Sequence, residues 1–160
     1  MCSSDLRFGK VSRALHHEPL FDSSISLVCS QDHPLARRRT PRLEEIASYK
    51  LVSPIVRNTS SKRMIDAAFM KAGKTPHNFI EAGNCQTACE FVEAGIGVGL
   101  VHSFCAQRLA STNLHVRDLS HRLTSGTFSA IYHKAGSRPA IFQLLHDTLL
   151  LPSKLGRYAR

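Results

Sequence analysis

Two short stretches hold the side chains best suited to grip a small polar molecule. The first, Ser53-Pro54-Ile55-Val56-Arg57-Asn58-Thr59-Ser60-Ser61, gathers several hydroxyls and one guanidinium where a strand should end and a helix begin. Free backbone N–H groups and the helix dipole would add to Arg57 there, and together they could hold a carboxylate. Capping alone needs just one of those hydroxyls. An anion site and a structural cap therefore both stand as readings of Ser53, Pro54, Ile55, Arg57, Thr59 and Ser60. The second stretch, Glu81-Ala82-Gly83-Asn84, joins a turn glycine to an N-capping asparagine, and the same pair of readings applies to Gly83 and Asn84. His102 and Ser103, just past a predicted strand, are weaker candidates, with a capped surface residue as the plain reading of His102. His17 could also reach a ligand, although His17-Glu18-Pro19 has the composition of a turn.

Other chemistries find less support. The five cysteines are odd in number and include no CxxC pair, which argues against a disulfide framework and a structural zinc site; all five are read as reduced. Cys85 and Cys89 share a predicted helix face and could ligate a metal, but two small buried hydrophobes explain them more simply. Gly95, Gly97 and Gly99 follow a helix and enter a strand, whereas a dinucleotide fingerprint needs its glycines after a strand and before a helix. Close helix-to-strand packing accounts for them better. There is no nucleophile elbow, HExxH or P-loop, and Cys105 near His102 is too casual a pairing for a catalytic dyad. The chain reads as a non-enzyme with no cofactor and no metal.

The elements that must position these residues are legible from periodicity. Phe79-Ile80 ends an extended segment, and Asn84 caps a helix from Cys85 whose apolar positions Cys85, Ala88, Cys89 and Val92 keep one face. Gly95 stops that helix, and Ile96 to Val101 is apolar without alternation, as in a parallel strand covered on both faces. Upstream lie a strand at Ile25–Cys29, a short helix at Leu43–Ala47 behind Pro41, a strand at Leu51–Ile55, and a helix carrying Met64, Ile65, Ala68, Phe69 and Ala72 up to Gly73. Downstream come a helix near Phe104–Leu109, an alternating segment Leu114–Arg117, a strand Thr127–His133 and a final helix from Pro139 with Ile141, Leu144, Leu145 and Leu149. Helices alternate with strands from Leu43 to about Leu109, which predicts an α/β lobe with a mostly parallel sheet, the strands at both ends of that run belonging to a partner layer.

At 160 residues, with 42% hydrophobic and 21% charged residues, the chain has room for one domain or two small lobes. No apolar run approaches the roughly 20 residues of a membrane span, and the opening MCSSDLRFGK lacks the apolar core of a secretory signal. A cytoplasmic protein is expected. Residues 1 to 6 carry no pattern and are expected to be a cloning or sequencing scar at the head of a fragment. The net charge of +9 points toward nucleic acid. Its layout does not: the one tight cluster, Arg37-Arg38-Arg39 with Arg42, has no interleaved aromatics, and no helix-turn-helix pattern is visible.

The order of His17-Glu18-Pro19-Leu20, a strand, Asp32-His33-Pro34-Leu35-Ala36, Leu43-Glu44-Glu45, Met64-Ile65-Asp66-Ala67-Ala68-Phe69, Ala72-Gly73 and Val92-Glu93-Ala94-Gly95-Ile96-Gly97-Val98-Gly99-Leu100 resembles the effector-binding (substrate-binding) domain of LysR-type transcriptional regulators. The likeness runs from about His17 to Leu149. It implies a two-lobed α/β fold like that of type 2 periplasmic binding proteins, with the second lobe complete and the first partial. Residues 1–30 would be a remnant of the first lobe, 31–118 the second lobe, and 119–160 the return to the first lobe with a C-terminal helix. It also implies a cleft that holds a small, anionic metabolite, with the residues after Ser53 and the Gly83-Asn84 turn on its walls. In the family, DNA is bound through an N-terminal helix-turn-helix that this sequence lacks, and the effector domains assemble into homo-oligomers. A solute-binding protein of a transport system is the alternative reading, since its lobes would look alike.

Overall fold

The computed structural model describes residues 15–55, 59–76, 79–109, 113–123 and 126–133. In chain order the elements are β1 (Leu15–Ser23), β2 (Ile25–Ser30), α1 (Leu43–Ala47), β3 (Leu51–Ser53), α2 (Ser60–Lys71), β4 (Phe79–Glu81), α3 (Cys85–Glu93), β5 (Val98–His102), α4 (Ser103–Leu109), β6 (Leu114–Asp118) and β7 (Gly126–His133). A 3-10 turn at Pro34–Arg37 follows β2. The helix expected from Pro139 lies outside the described residues.

The chain divides into two units, one of residues 24–125 and one of residues 1–23 with 126–160. In the larger, five strands form one sheet in the order β4-β3-β5-β2-β6. β3 is parallel to β4 and β5, while β2 is antiparallel to β5 and β6. The sheet is thus mixed rather than mostly parallel. Ile25–Ser30, expected in a partner layer, belongs to this sheet, and the unit begins at residue 24 where the sequence suggests a break after 30. The reason lies in β2 itself: ISLVC is buried residue after residue, the mark of a strand with both faces covered.

Side chains alternate across the sheet with a period of two. Ile25, Leu27, Cys29, Leu51, Val98 and Leu100 point to one layer with Ile46 of α1 and Ile65 and Phe69 of α2. Val28, Val52 and Val101 point to the other with Ala88, Cys89 and Val92 of α3 and Ala106 of α4. Each fully buried large aliphatic or aromatic side chain contributes about 1.5–3 kcal/mol. The crossover from β3 through α2 steps outward to β4, whereas that from β4 through α3 steps back past β3 to β5. Right-handed connections running in opposite directions must use opposite faces, and α2 and α3 do.

In the smaller unit β1 pairs with β7 from Leu15 opposite His133 to Ser23 opposite Gly126. His17-Glu18-Pro19, read from sequence as a turn, lies inside β1. The register shifts between Pro19 and Phe21, and an irregularity is where a strand admits a residue with no N–H to donate. Phe21 stacks on Phe128 at 5.2 Å between ring centroids, and Thr127 donates its hydroxyl to Asp22 at 2.6 Å.

Candidate functional site

β3, β4 and β5 run parallel, so their carboxyl ends share one edge of the sheet. The chain leaves β3 toward α2 on one face, but leaves β4 and β5 toward α3 and α4 on the other. Neighbouring strands whose connections part in this way open a crevice beyond their ends, the place where α/β sheets bind ligands. The structure brings Ser53, Pro54, Ile55, Gly83, Asn84 and His102 to this edge. The register sets Ser53 beside Glu81, and the Ala82 N–H donates to the Ser53 carbonyl at 2.9 Å, tying the Gly83-Asn84 turn to the end of β3.

The two helix entries are capped as their sequences predict. Thr59 Oγ1 accepts the Lys62 N–H at 3.2 Å, and Asn84 Oδ1 accepts the Thr87 N–H at 2.9 Å. Neither α2 nor α3 has an acidic residue in its first turn, so no carboxylate of its own offsets the positive helix end. Gly83 and Asn84 are exposed and Pro54 half-buried. Ser60 opens α2. Arg57 lies outside the described residues.

Ser53 is fully buried. Its hydroxyl donates to the Leu100 carbonyl and accepts the Ile55 N–H at 3.2 Å. That one group bridges β3 to β5 and shapes the turn at Pro54-Ile55. His102, read from sequence as a surface residue, is 6% exposed, because β5 is covered on both faces to its last residue. Burial lowers its pKa to about 4, leaving the ring neutral near pH 7. The ring packs against Phe104 at 5.8 Å.

A polar chain that the sequence did not reveal continues the same edge. The Ser103 N–H donates to the Ser24 carbonyl at 2.9 Å, the two hydroxyls bond each other, and Ser24 Oγ donates to Asp118 Oδ1 at 2.7 Å. Asp118 also accepts the backbone N–H and the hydroxyl of Ser120. Burial pushes its carboxyl up, but the hydrogen bonds from Ser120 and Ser24 outweigh that and hold it below its ordinary value. Part of this network is local, since an aspartate with a serine two residues on has the spacing of a side-chain turn. The link to Ser24 needs the tertiary fold.

Two surface depressions lie away from this edge. One of about 370 Å³ is lined by Lys62, Asp66, Met70, Lys74 and Phe79 among others, and one of about 630 Å³ by Arg38, Arg39, Arg42 and their acidic neighbours Glu44 and Glu45. Among the described residues no group of three or more His, Cys, Asp or Glu could hold a metal ion, and no helix is long and apolar enough to cross a membrane.

A family model for the LysR substrate binding domain matches residues 6–150. The regulator SsuR of Burkholderia cenocepacia, an HTH-type transcriptional regulator, is 28% identical over 109 residues, covering 68% of this chain and 35% of that protein. The HTH-type transcriptional regulator CysB of Haemophilus influenzae is 31% identical over 127 residues, covering 72% of this chain and 39% of that protein. The chain therefore spans well under half the length of these relatives. In three dimensions it is similar to the cofactor-binding domain of the Cbl transcriptional regulator, with a TM-score of 0.77 at 22% identity over 99% of this chain and 69% of that one. Full-length BenM carrying the substitution E226K gives 0.70 at 19% identity over 92% and 50%.

Proposed function

The chain belongs to the LysR substrate-binding-domain family, and on that premise we propose that it senses a small, anionic metabolite at the carboxyl edge of β3, β4 and β5. The observation that carries the reading is the pair of capped helix entries without first-turn carboxylates, at Thr59-Ser60 and Gly83-Asn84. Backbone N–H groups at such entries favour a carboxylate or phosphate. Ser53 and Ile55 hold the turn that delivers the chain toward α2, so Ser53 acts through position and Thr59, Ser60 and Asn84 by contact. Pro54 and His102 supply neutral walls, and Arg57 supplies charge. Glu81, exposed at the end of β4, favours a ligand that also carries a positive group, such as an amino-acid derivative.

In the parent regulator, occupancy of this site would shift an equilibrium between conformations by no more than the ligand's difference in affinity for them. A DNA-binding helix-turn-helix elsewhere in that protein, and a homo-oligomer of effector domains, would read the shift. The relatives are named as transcriptional regulators, which supports this reading over that of a transport binding protein and over an enzyme.

Isothermal calorimetry of the chain against a panel of organic acids and amino-acid derivatives tests it. At least one member should bind, and Thr59→Ala and Asn84→Ala should each weaken it about tenfold, the equivalent of one lost charge-assisted hydrogen bond. Unchanged affinity in both variants removes the site assignment.

A further inference from the structure

Cys85 is the first residue of α3 and Cys105 the third of α4. The two helices pack together on one face of the sheet, around Ala88, Cys89, Val92 and Ala106. Nineteen residues of chain, including the whole of β5, separate the two cysteines in sequence; in the fold their thiols share a hydrogen bond, and the Cys85 sulfur takes a second from the backbone at His102. Both are half-buried, whereas Cys29 and Cys89 are buried. We propose that Cys85 and Cys105 are a redox pair that closes to an intramolecular disulfide by exchange with a low-molecular-weight disulfide such as oxidised glutathione.

The environment separates this pair from the other described cysteines. Burial pushes the thiols of Cys29 and Cys89 up to about 11, which keeps them protonated and inert. The hydrogen bond from Cys105 lowers the Cys85 pKa; burial opposes it more weakly, and the backbone contact at His102 adds a smaller lowering. Its place at the start of a helix with no acidic residue in the first turn acts in the same direction.

The exchange is balanced in two steps. The Cys85 thiolate attacks one sulfur of oxidised glutathione, forming a mixed disulfide and expelling one glutathione thiolate. The Cys105 thiol gives up its proton and attacks the Cys85 sulfur, forming the Cys85–Cys105 bond and expelling the second glutathione. Two protein thiols are oxidised and one glutathione disulfide is reduced to two thiols. The new bond ties the first turn of α3, beside the Asn84 cap, to α4. This inference does not depend on any effector.

The test treats the 160-residue chain with oxidised glutathione, alkylates the remaining thiols under denaturing conditions and measures intact mass. The expected product is monomeric on a non-reducing gel, has two fewer alkylated thiols than the five in the sequence, and reverts with dithiothreitol. Combined digestion with trypsin and a glutamyl endopeptidase cuts after Glu81, Glu90, Glu93 and Arg108, so it should yield peptide 82–90 joined to peptide 94–108. The Cys105→Ser variant, with its fold checked by circular dichroism, should stop at the mixed disulfide and carry one glutathione on Cys85. Retention of all five thiols in the unmodified chain overturns the proposal. So does a bond to Cys2, or a peptide 82–90 link that persists in Cys85→Ser through Cys89.

Discussion

Two glycine positions on either side of α3 carry the same residue for opposite reasons. A Cβ built on Gly83 meets nothing within 4 Å, whereas one built on Gly97 lies 2.2 Å from the Lys50 carbonyl oxygen. That carbonyl accepts the Val98 N–H at 2.9 Å, so the start of β5 is laid directly on the backbone before β3. Gly99 is crowded too, with Val92 of α3 at 3.2 Å and Val28 of β2 at 3.4 Å. On one side of the helix, glycine exists to let backbones and a helix close in; on the other it leaves a turn open to solvent beside an asparagine. Space that the protein fills is structural, and space that it leaves at a strand end is available to a ligand.

The sharpest way to break this contrast is Gly97→Ala. The added methyl group cannot coexist with the Lys50 carbonyl, and the cost should be about 3 kcal/mol or more, measured by urea denaturation; a loss within 0.5 kcal/mol, roughly the scatter of surface substitutions, would refute the packing role. Acidification probes the opposite end of the same strand, where His102 is buried at the last position of β5. The pKa of His102 falls from 6.5 to about 4 on folding, so below pH 6.5 the unfolded chain binds a proton that the folded chain refuses. Stability should therefore be full above that pH, decline as pH falls toward 4 and level off below, a total of roughly 3 kcal/mol; His102→Gln should flatten the profile. The open side should respond least. Asn84→Ala should cost about 1 kcal/mol through loss of its cap, and Gly83→Ala only a few tenths.

Much of the larger unit was legible because its residues obey local rules. Asn84 caps α3, Gly95 ends it at a φ of +73°, and Cys85, Ala88, Cys89 and Val92 hold its inner face, all as the sequence alone predicts. What escaped depended on partners distant in the chain. For Ser53 a ligand hydroxyl and a structural one stood side by side, because nothing near it in sequence reveals that Leu100 accepts its proton. His102 read as exposed because apolar neighbours on one strand do not tell how many layers cover it. The turn composition of His17-Glu18-Pro19 was overridden by pairing with β7, since tertiary context outweighs local preference in strands.

The position of β2 has a consequence for how the molecule is made. This strand, fully apolar at its centre, pairs with β5 and β6 and with neither β3 nor β4. It leaves the ribosome before any of the crossover helices, yet its partners, from Val98 onward, come only after α1, α2 and α3. Ring closure over so long a segment is entropically costly and slow. The nascent chain must therefore carry ISLVC uncovered while the whole segment from β2 to Val98 is made, and the sheet knits together only when β5 and β6 arrive on either side of the strand that has waited for them.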